Sequence, residues 1–396
     1  MTFVLYTVGS MYTVFNDALL TAAALDLISR RTVTTMNVLA AIAGLLLILA
    51  ALWDGFETIV LPRRVTRQIR LTSLFYYSTW RPWAAIGRRL NGNRRETYLS
   101  FYGPLSLIFL LIVWISMLVL GFALLQWADG SRLHAAGATV GFGTDIYMSA
   151  TSFFTLGIGD VTPTSSLARA ITAVEAGSGF GFLALVITYL PVLYGAFSAR
   201  EANISLLDAR AGSPPSAPGL LLRLERKERD RALPDTLQDW EQWAGRLLES
   251  HLSYPVLGFY RSQHEHQSWL AALTVILDTC SLVISGVAVS SKHAIEQARL
   301  TFAIARHAAV DLSQVFRTDP SSGLASDRLP SEDLGRLIQI LGRKEGAPGQ
   351  EEVRRLAELR IMYEPYVAAL SRRLLMPLPS WLPSEREDDW QTTAWE

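Results

Sequence analysis

Cysteine is nearly missing from this chain: Cys280 is the only one in 396 residues, which excludes an intramolecular disulfide framework. Lysine is almost as scarce, confined to Lys227, Lys292 and Lys344. Arginine supplies the remaining positive charge, and Lys plus Arg equal Asp plus Glu at 36 each. A net charge of zero without a basic stripe excludes nucleic acid as an expected partner. Also missing are a nucleophile elbow, a phosphate-cradling glycine loop and a metalloprotease helix, so no enzyme is expected. The N-terminus lacks the basic region of a secretory signal, and a secreted protein is not expected. Half of the residues are hydrophobic, and they lie in runs longer than a soluble core needs.

Those runs predict membrane spans. Residues 37–61 form a first span, whose apolar part ends before Asp54 and Glu57. Residues 102–127 form a second, with no charge from Leu105 to Leu125 and Trp127 as an interfacial anchor. Residues 167–199 form a third, interrupted by Glu175, Gly177, Gly179, Gly181 and Pro191; such interruptions inside a span usually serve function. Arginines crowd residues 62–101 between the first two spans, whereas 128–166 hold only Arg132. The positive-inside rule therefore puts 62–101 and everything after Ala199 in the cytoplasm and 128–166 outside. Segment 1–36 is left with two topologies, since Phe3 to Phe15 is apolar but too short to span.

The outer loop carries Thr155-Leu156-Gly157-Ile158-Gly159-Asp160 after an apolar helix candidate that starts near Asp145. This segment resembles the pore loop of the potassium-channel family, over about residues 102–200. The resemblance implies an all-α membrane protein: an extra span, then outer helix, re-entrant pore helix and filter, inner helix, and a cytoplasmic all-α domain. It implies that carbonyls of Thr155, Leu156, Gly157 and Ile158, with the Thr155 hydroxyl, coordinate dehydrated K+ in a filter running to Gly159. Ser152 takes the family's upstream hydroxyl position. Asp160 takes the acidic position that braces the filter, within reach of Tyr147. Gly179 falls at the family's inner-helix hinge, so that Gly177, Gly179, Gly181 and Pro191 form the expected gating region. Glu175 either lines the cavity or bonds behind the filter near Thr151. Ile158 stands where the family usually has an aromatic, which bears on discrimination against sodium. One pore loop per chain calls for three further copies to close the ring. Alternatives are a weakly selective cation channel and a non-conducting membrane-anchored signalling scaffold. A second string, Thr139-Val140-Gly141-Phe142-Gly143, lacks an upstream helix and is read as outer loop.

Arg63, Arg64, Arg67 and Arg70 follow the first span. No long apolar run carries them, so the expectation is an interfacial segment on anionic lipid rather than a voltage sensor. Residues 200–235 read as a charged linker, with Glu225 and Arg229 spaced to pair on a solvated helix. Residues 236–380 read as a cytoplasmic helical domain, on the helical spacing of Leu237, Trp240, Trp243, Leu247 and Leu248, and 381–396 as an acidic tail. Trp269 to Val289 is apolar, but Asp278 at its centre argues for a buried core helix over a fourth span. His251, His264, Glu265 and His266 are weighed as metal ligands and read as surface side chains. No organic cofactor is expected.

Overall fold

The structure is a computed structural model. It describes residues 34–61, 70–136, 139–224, 226–262, 267–288, 291–321, 327–341 and 349–383, with backbone alone for 226–230. Three helices are long and apolar enough to cross a bilayer. They are α1 (Thr34–Val60), α4 (Tyr102–Ala128), which with the short α3 (Gly92–Ser100) makes one 37-residue helical stretch, and α6 (Ser166–Ala211). With the arginine asymmetry across them, the chain is a multi-pass membrane protein with a cytoplasmic helical region.

The remaining elements are α2 (Leu71–Gly87), β1 (Leu133–Ala135), α5 (Phe142–Phe153), β2 (Val161–Pro163), α7 (Ala217–Arg223), α8 (Arg226–Ser253), α9 (Trp269–Ile284), α10 (Lys292–Val315), α11 (Ser331–Leu341), α12 (Gln350–Ile361) and α13 (Glu364–Leu374). The chain divides into two compact units, to both of which α4 and α6 contribute.

The first unit holds α1, α4 from Leu110, α5, the two short strands and α6 to Thr188. Glycine lets α1 and α4 touch. A Cβ on Gly44 would stand 2.6 Å from the Gly121 carbonyl oxygen, and one on Gly121 would stand 2.7 Å from Ile48, the close backbone approach by which small residues join helices in lipid. Below the glycines Ile48, Ala51, Leu118, Phe122 and Phe153 form one apolar cluster. Asp54 is buried there, its Oδ2 accepting from Trp114 Nε1 at 3.0 Å.

The second unit runs from α2 to the start of α4 and from the end of α6 to the C-terminus. Every residue of α9 is buried, and α8 and α10 pack extensively along each other. Trp240, Trp243, Leu247 and Leu248 turn inward with Leu237. Asp278 lies in the middle of α9, and the fold answers its charge: Arg328 reaches it at 2.7 Å, and Tyr363 Oη donates to it at 2.5 Å. Arg328 also donates to Glu364 at 3.2 Å and to the Pro379 carbonyl at 3.0 Å. A paired carboxylate thus sits inside a helical core, and no fourth span is among the described helices that could cross a membrane.

Three expectations change. Residues 200–235 are not a linker, because α6 continues unbroken to Ala211 and α7 and α8 follow. Ile204, Leu207 and Ala211 enter the second unit's core, so burial extends the helix past Ala199. The described part of 62–101 is not a free interfacial segment: Trp80 and Ala84 of α2 and Leu99 of α3 are buried in the same core, where Tyr76 stacks on Phe259 with ring centroids 5.6 Å apart. His251 is not on the surface. It is fully buried, its Nε2 accepting from Arg200 at 3.2 Å and its Nδ1 facing the Leu247 carbonyl at 2.9 Å. Burial first, and then the Arg200 charge, hold its pKa well below the ordinary imidazole value. Arg63, Arg64, Arg67, Glu225, His264, Glu265 and His266 lie outside the described residues, as does the side chain of Arg229, whereas Arg70 is half-buried just before α2.

Asp278→Ala leaves the Arg328 guanidinium beside an apolar gap, and the helical unit should lose about 3 kcal/mol of stability. The double replacement Asp278→Leu with Arg328→Met should lose less, because no charge is stranded. Thermal melting of the purified chain distinguishes the two, and equal losses would show that the pair carries no special burden.

Candidate functional site

Between α4 and α6 the chain forms a short helix and then an extended strip. Helix α5 begins at Phe142, three residues before Asp145, with Gly141 before its first turn; the Gly141 N–H donates to Thr144 Oγ1 at 3.3 Å. The string Thr139 to Gly143 is therefore part loop and part helix start, and neither Gly141 nor Gly143 has positive φ.

The other end of α5 closes as a Schellman motif. Leu156 N–H donates to the Thr151 carbonyl at 2.8 Å, and Thr155 N–H to the Ser152 carbonyl at 3.0 Å. Thr155 occupies the left-handed position with φ +56°, where glycine is usual and a β-branched residue carries about 1–2 kcal/mol of strain. Gly157 and Gly159 follow with φ +57° and +82°, so positive φ recurs at every second residue from 155 to 159. Leu156 and Ile158 are 61% and 59% exposed among the described residues.

Both ends of the strip are tied down. At Asp160, Oδ2 accepts from Tyr147 Oη at 2.9 Å and Oδ1 from the Val161 N–H at 3.0 Å. β2 then pairs antiparallel with β1 in the register Leu133 with Pro163 and Ala135 with Val161. Ser165 Oγ donates to Asp129 at 2.8 Å, and Thr164 Oγ1 to the Arg132 carbonyl at 2.8 Å. Asp145 is buried and accepts from Ser131 Oγ at 2.6 Å.

Behind the strip, α5 is held against both flanking helices. Gly179 is the closest approach: a Cβ there would fall 1.9 Å from the Phe153 carbonyl oxygen. Gly177 and Gly181 face open space, and α6 runs unbroken through all three glycines and Pro191. Glu175 is buried and meets Ser149 of α5. Thr151 and Ser152 are not its partners, for both hydroxyls donate back to the Met148 carbonyl, at 3.0 and 2.7 Å. The Ser149 hydroxyl also lies 2.7 Å from the Val119 carbonyl of α4. A hydroxyl has one hydrogen, so Ser149 shares it between the Val119 carbonyl and the Glu175 carboxyl.

Ser149, Ser131, Asp129 and the strand pair escaped sequence reasoning. No signal singled out Ser149, because Thr151 and Ser152 offer hydroxyls on the same short helix. The strands are three residues each and left none. Among the described residues no three His, Cys, Asp or Glu side chains group as a metal site.

Residues 107–193 match the family described as "Ion channel". Over 203 residues, half of this chain, the sequence is 26% identical to the uncharacterized membrane protein YdjJ of Bacillus subtilis (strain 168), and the match spans 58% of that protein's length. No solved structure matches. The family match begins inside α4 and ends inside α6, so it takes in the whole strip and its supports.

Glu175→Gln should preserve the buried contact, since its amide can donate to Ser149 Oγ. Glu175→Ala should cost about 1–3 kcal/mol by leaving Ser149 and a cavity unfilled. Gly179→Ala should be worse than either Gly177→Ala or Gly181→Ala, because only at 179 must backbone move. Melting temperatures in detergent rank the five variants, and a tolerant Gly179 would show that α5 is not seated as described.

Proposed function

We propose that four copies of this chain form a potassium-selective channel whose filter is the strip Thr155 to Gly159, with α5 as its re-entrant pore helix and α6 as its inner, gating helix. The observation that carries this reading is the strip itself, a run of left-handed positions between two spans, braced at Asp160 and left uncovered. Regular extended backbone points successive carbonyls to opposite sides. Positive φ at alternate residues breaks that alternation and lets neighbouring carbonyls share a side, which dehydrating a cation requires. Thr155 sharpens the argument. Glycine would close α5 without strain, so the threonine is kept for something glycine lacks, and a hydroxyl at the inner end of the filter is that feature.

The ion-channel family match over 107–193 supports the same class of function. Exposed Val174, Phe180, Leu183 and Ile187 on α6 give lipid or further copies an apolar surface to cover. Glu175 in this reading supports the pore helix from behind and does not line the cavity. Ile158 favours a second reading, weak selectivity, because an aliphatic residue between the glycines makes a less rigid cuff around the filter than an aromatic would.

Purified chain in liposomes should pass potassium faster than sodium. Gly157→Ala and Gly159→Ala should abolish flux: the space beside both is open or nearly so, so the obstacle is backbone conformation alone. Gly141→Ala and Gly143→Ala should leave selectivity intact, and Thr155→Ala should weaken ion binding at the inner end of the filter. Equal sodium and potassium flux would select the weakly selective channel, and no flux from well-folded protein would select the non-conducting scaffold.

A further inference from the structure

A cluster of arginines on the second unit is not accounted for by the pore reading. Tyr77, Arg81 and Arg88 lie four and seven residues apart along α2, which puts them on one face of the helix. The Arg81 guanidinium lies 4.6 Å from the centroid of the Tyr77 ring, and that of Arg373, in the last turn of α13, lies 5.9 Å from the same ring. Trp80 Nε1 donates to the Arg373 carbonyl at 2.8 Å, so the end of α13 is fixed against α2 and the meeting of cations is built into the fold.

Among the described residues no carboxylate pairs with Arg81, Arg88 or Arg373. Arg373 is partly buried, and its Nε is a buried donor without an acceptor. Burial, and then the Arg81 and Arg88 charges, push its pKa down. Two other arginines of the same unit are answered: Arg261 donates to Glu96 and to the Leu374 and Leu375 carbonyls, and Arg328 to Asp278 and Glu364.

We propose that Arg81, Arg88 and Arg373, arranged around Tyr77, form a binding site for a phosphate-bearing anion. Several guanidinium forks call for an anion with three or more acceptor oxygens rather than a single carboxylate. A free phosphate and an anionic lipid headgroup share this chemistry. None of the three is among the sequence-expected lipid contacts, and the site joins α2 to α13. An anion there stabilises the pairing of α2 with α13 by mass action.

The test uses the full chain in phosphatidylcholine nanodiscs at fixed ionic strength and reads binding without any flux, so it stands or falls apart from the channel reading. One arm titrates inorganic phosphate against chloride and follows the melting temperature; the other replaces part of the lipid with phosphatidylglycerol and counts retained lipids by native mass spectrometry. Phosphate should raise the melting temperature where chloride does not, or phosphatidylglycerol should be retained over phosphatidylcholine, and the arm that responds identifies the source. Arg81→Gln and Arg373→Gln should each weaken the response about tenfold, and Arg94→Gln should not. Arg81 is exposed, so a loss there is not misfolding. A response in neither arm, an equal response to chloride, or an undiminished response in the Arg81→Gln/Arg373→Gln double variant would overturn the site.

Discussion

The seat of α5 on α6 depends on a missing side chain. With the Gly179 backbone against the Phe153 carbonyl, the end of the short helix is positioned to within the thickness of one methyl group. From that contact the rest of the site follows. The Schellman closure at Thr155 comes two residues later, the direction of the strip is set by that closure, and Asp160 then falls beside Tyr147 on the same short helix. The strip is thus fastened at its beginning by backbone geometry and at its end by a side chain of the helix it leaves. A helix of 12 residues is marginal in isolation, and tertiary contacts of this kind let it stand.

Buried polar side chains in the membrane unit reach for partners on neighbouring helices, since lipid cannot satisfy them. Ser149 answers Val119 and Glu175, Gln126 donates to the Ala168 carbonyl at 3.2 Å and to Thr172 at 3.1 Å, and Trp114 answers Asp54. Each of these contacts ties together two different helices. The apolar surface of α4 and α6 carries little orientation information, because lipid and leucine are equally good neighbours. Hydrogen bonds and glycine contacts supply it instead.

The sequence made the spans legible because bilayer thickness demands length without charge, and few other folds do. It made α9 legible as a core helix for the converse reason, a carboxylate at mid-length. It did not reveal Arg328 as the partner, since 50 residues separate it from Asp278 and no local pattern links them. The continuation of α6 to Ala211 was hidden in the same way: residues 200–211 are charged enough to pass for a linker, and only burial of Ile204 and Leu207 in a distant core shows why they stay helical. Arginines between the first two spans invited a lipid reading, while the aromatic residues among them, Tyr76, Trp80 and Trp83, were the sign that α2 belongs to a protein core. In the site, Tyr147 and Asp160 were readable as a pair because they flank one short motif. Ser149 was not, because Thr151 and Ser152 offered hydroxyls just as close in sequence.

On the proposed reading, a filter made of backbone places unusual demands on substitution. Side chains of the strip can vary, as Ile158 does, provided the left-handed positions are kept, so the constraint falls on Gly157 and Gly159 and on whatever holds the strip's ends. That shifts the specificity question away from the strip. If carbonyl spacing decides which cation fits, then the parts that fix spacing are Asp160 with Tyr147 at one end and the seat of α5 at the other, and an aliphatic Ile158 leaves them more of the task than an aromatic would. On that reading the buried Glu175 belongs to the supporting set and does not line the ion path. Its contact joins α6 to α5 while the same serine reaches α4, so a change at this one side chain would act on three helices at once.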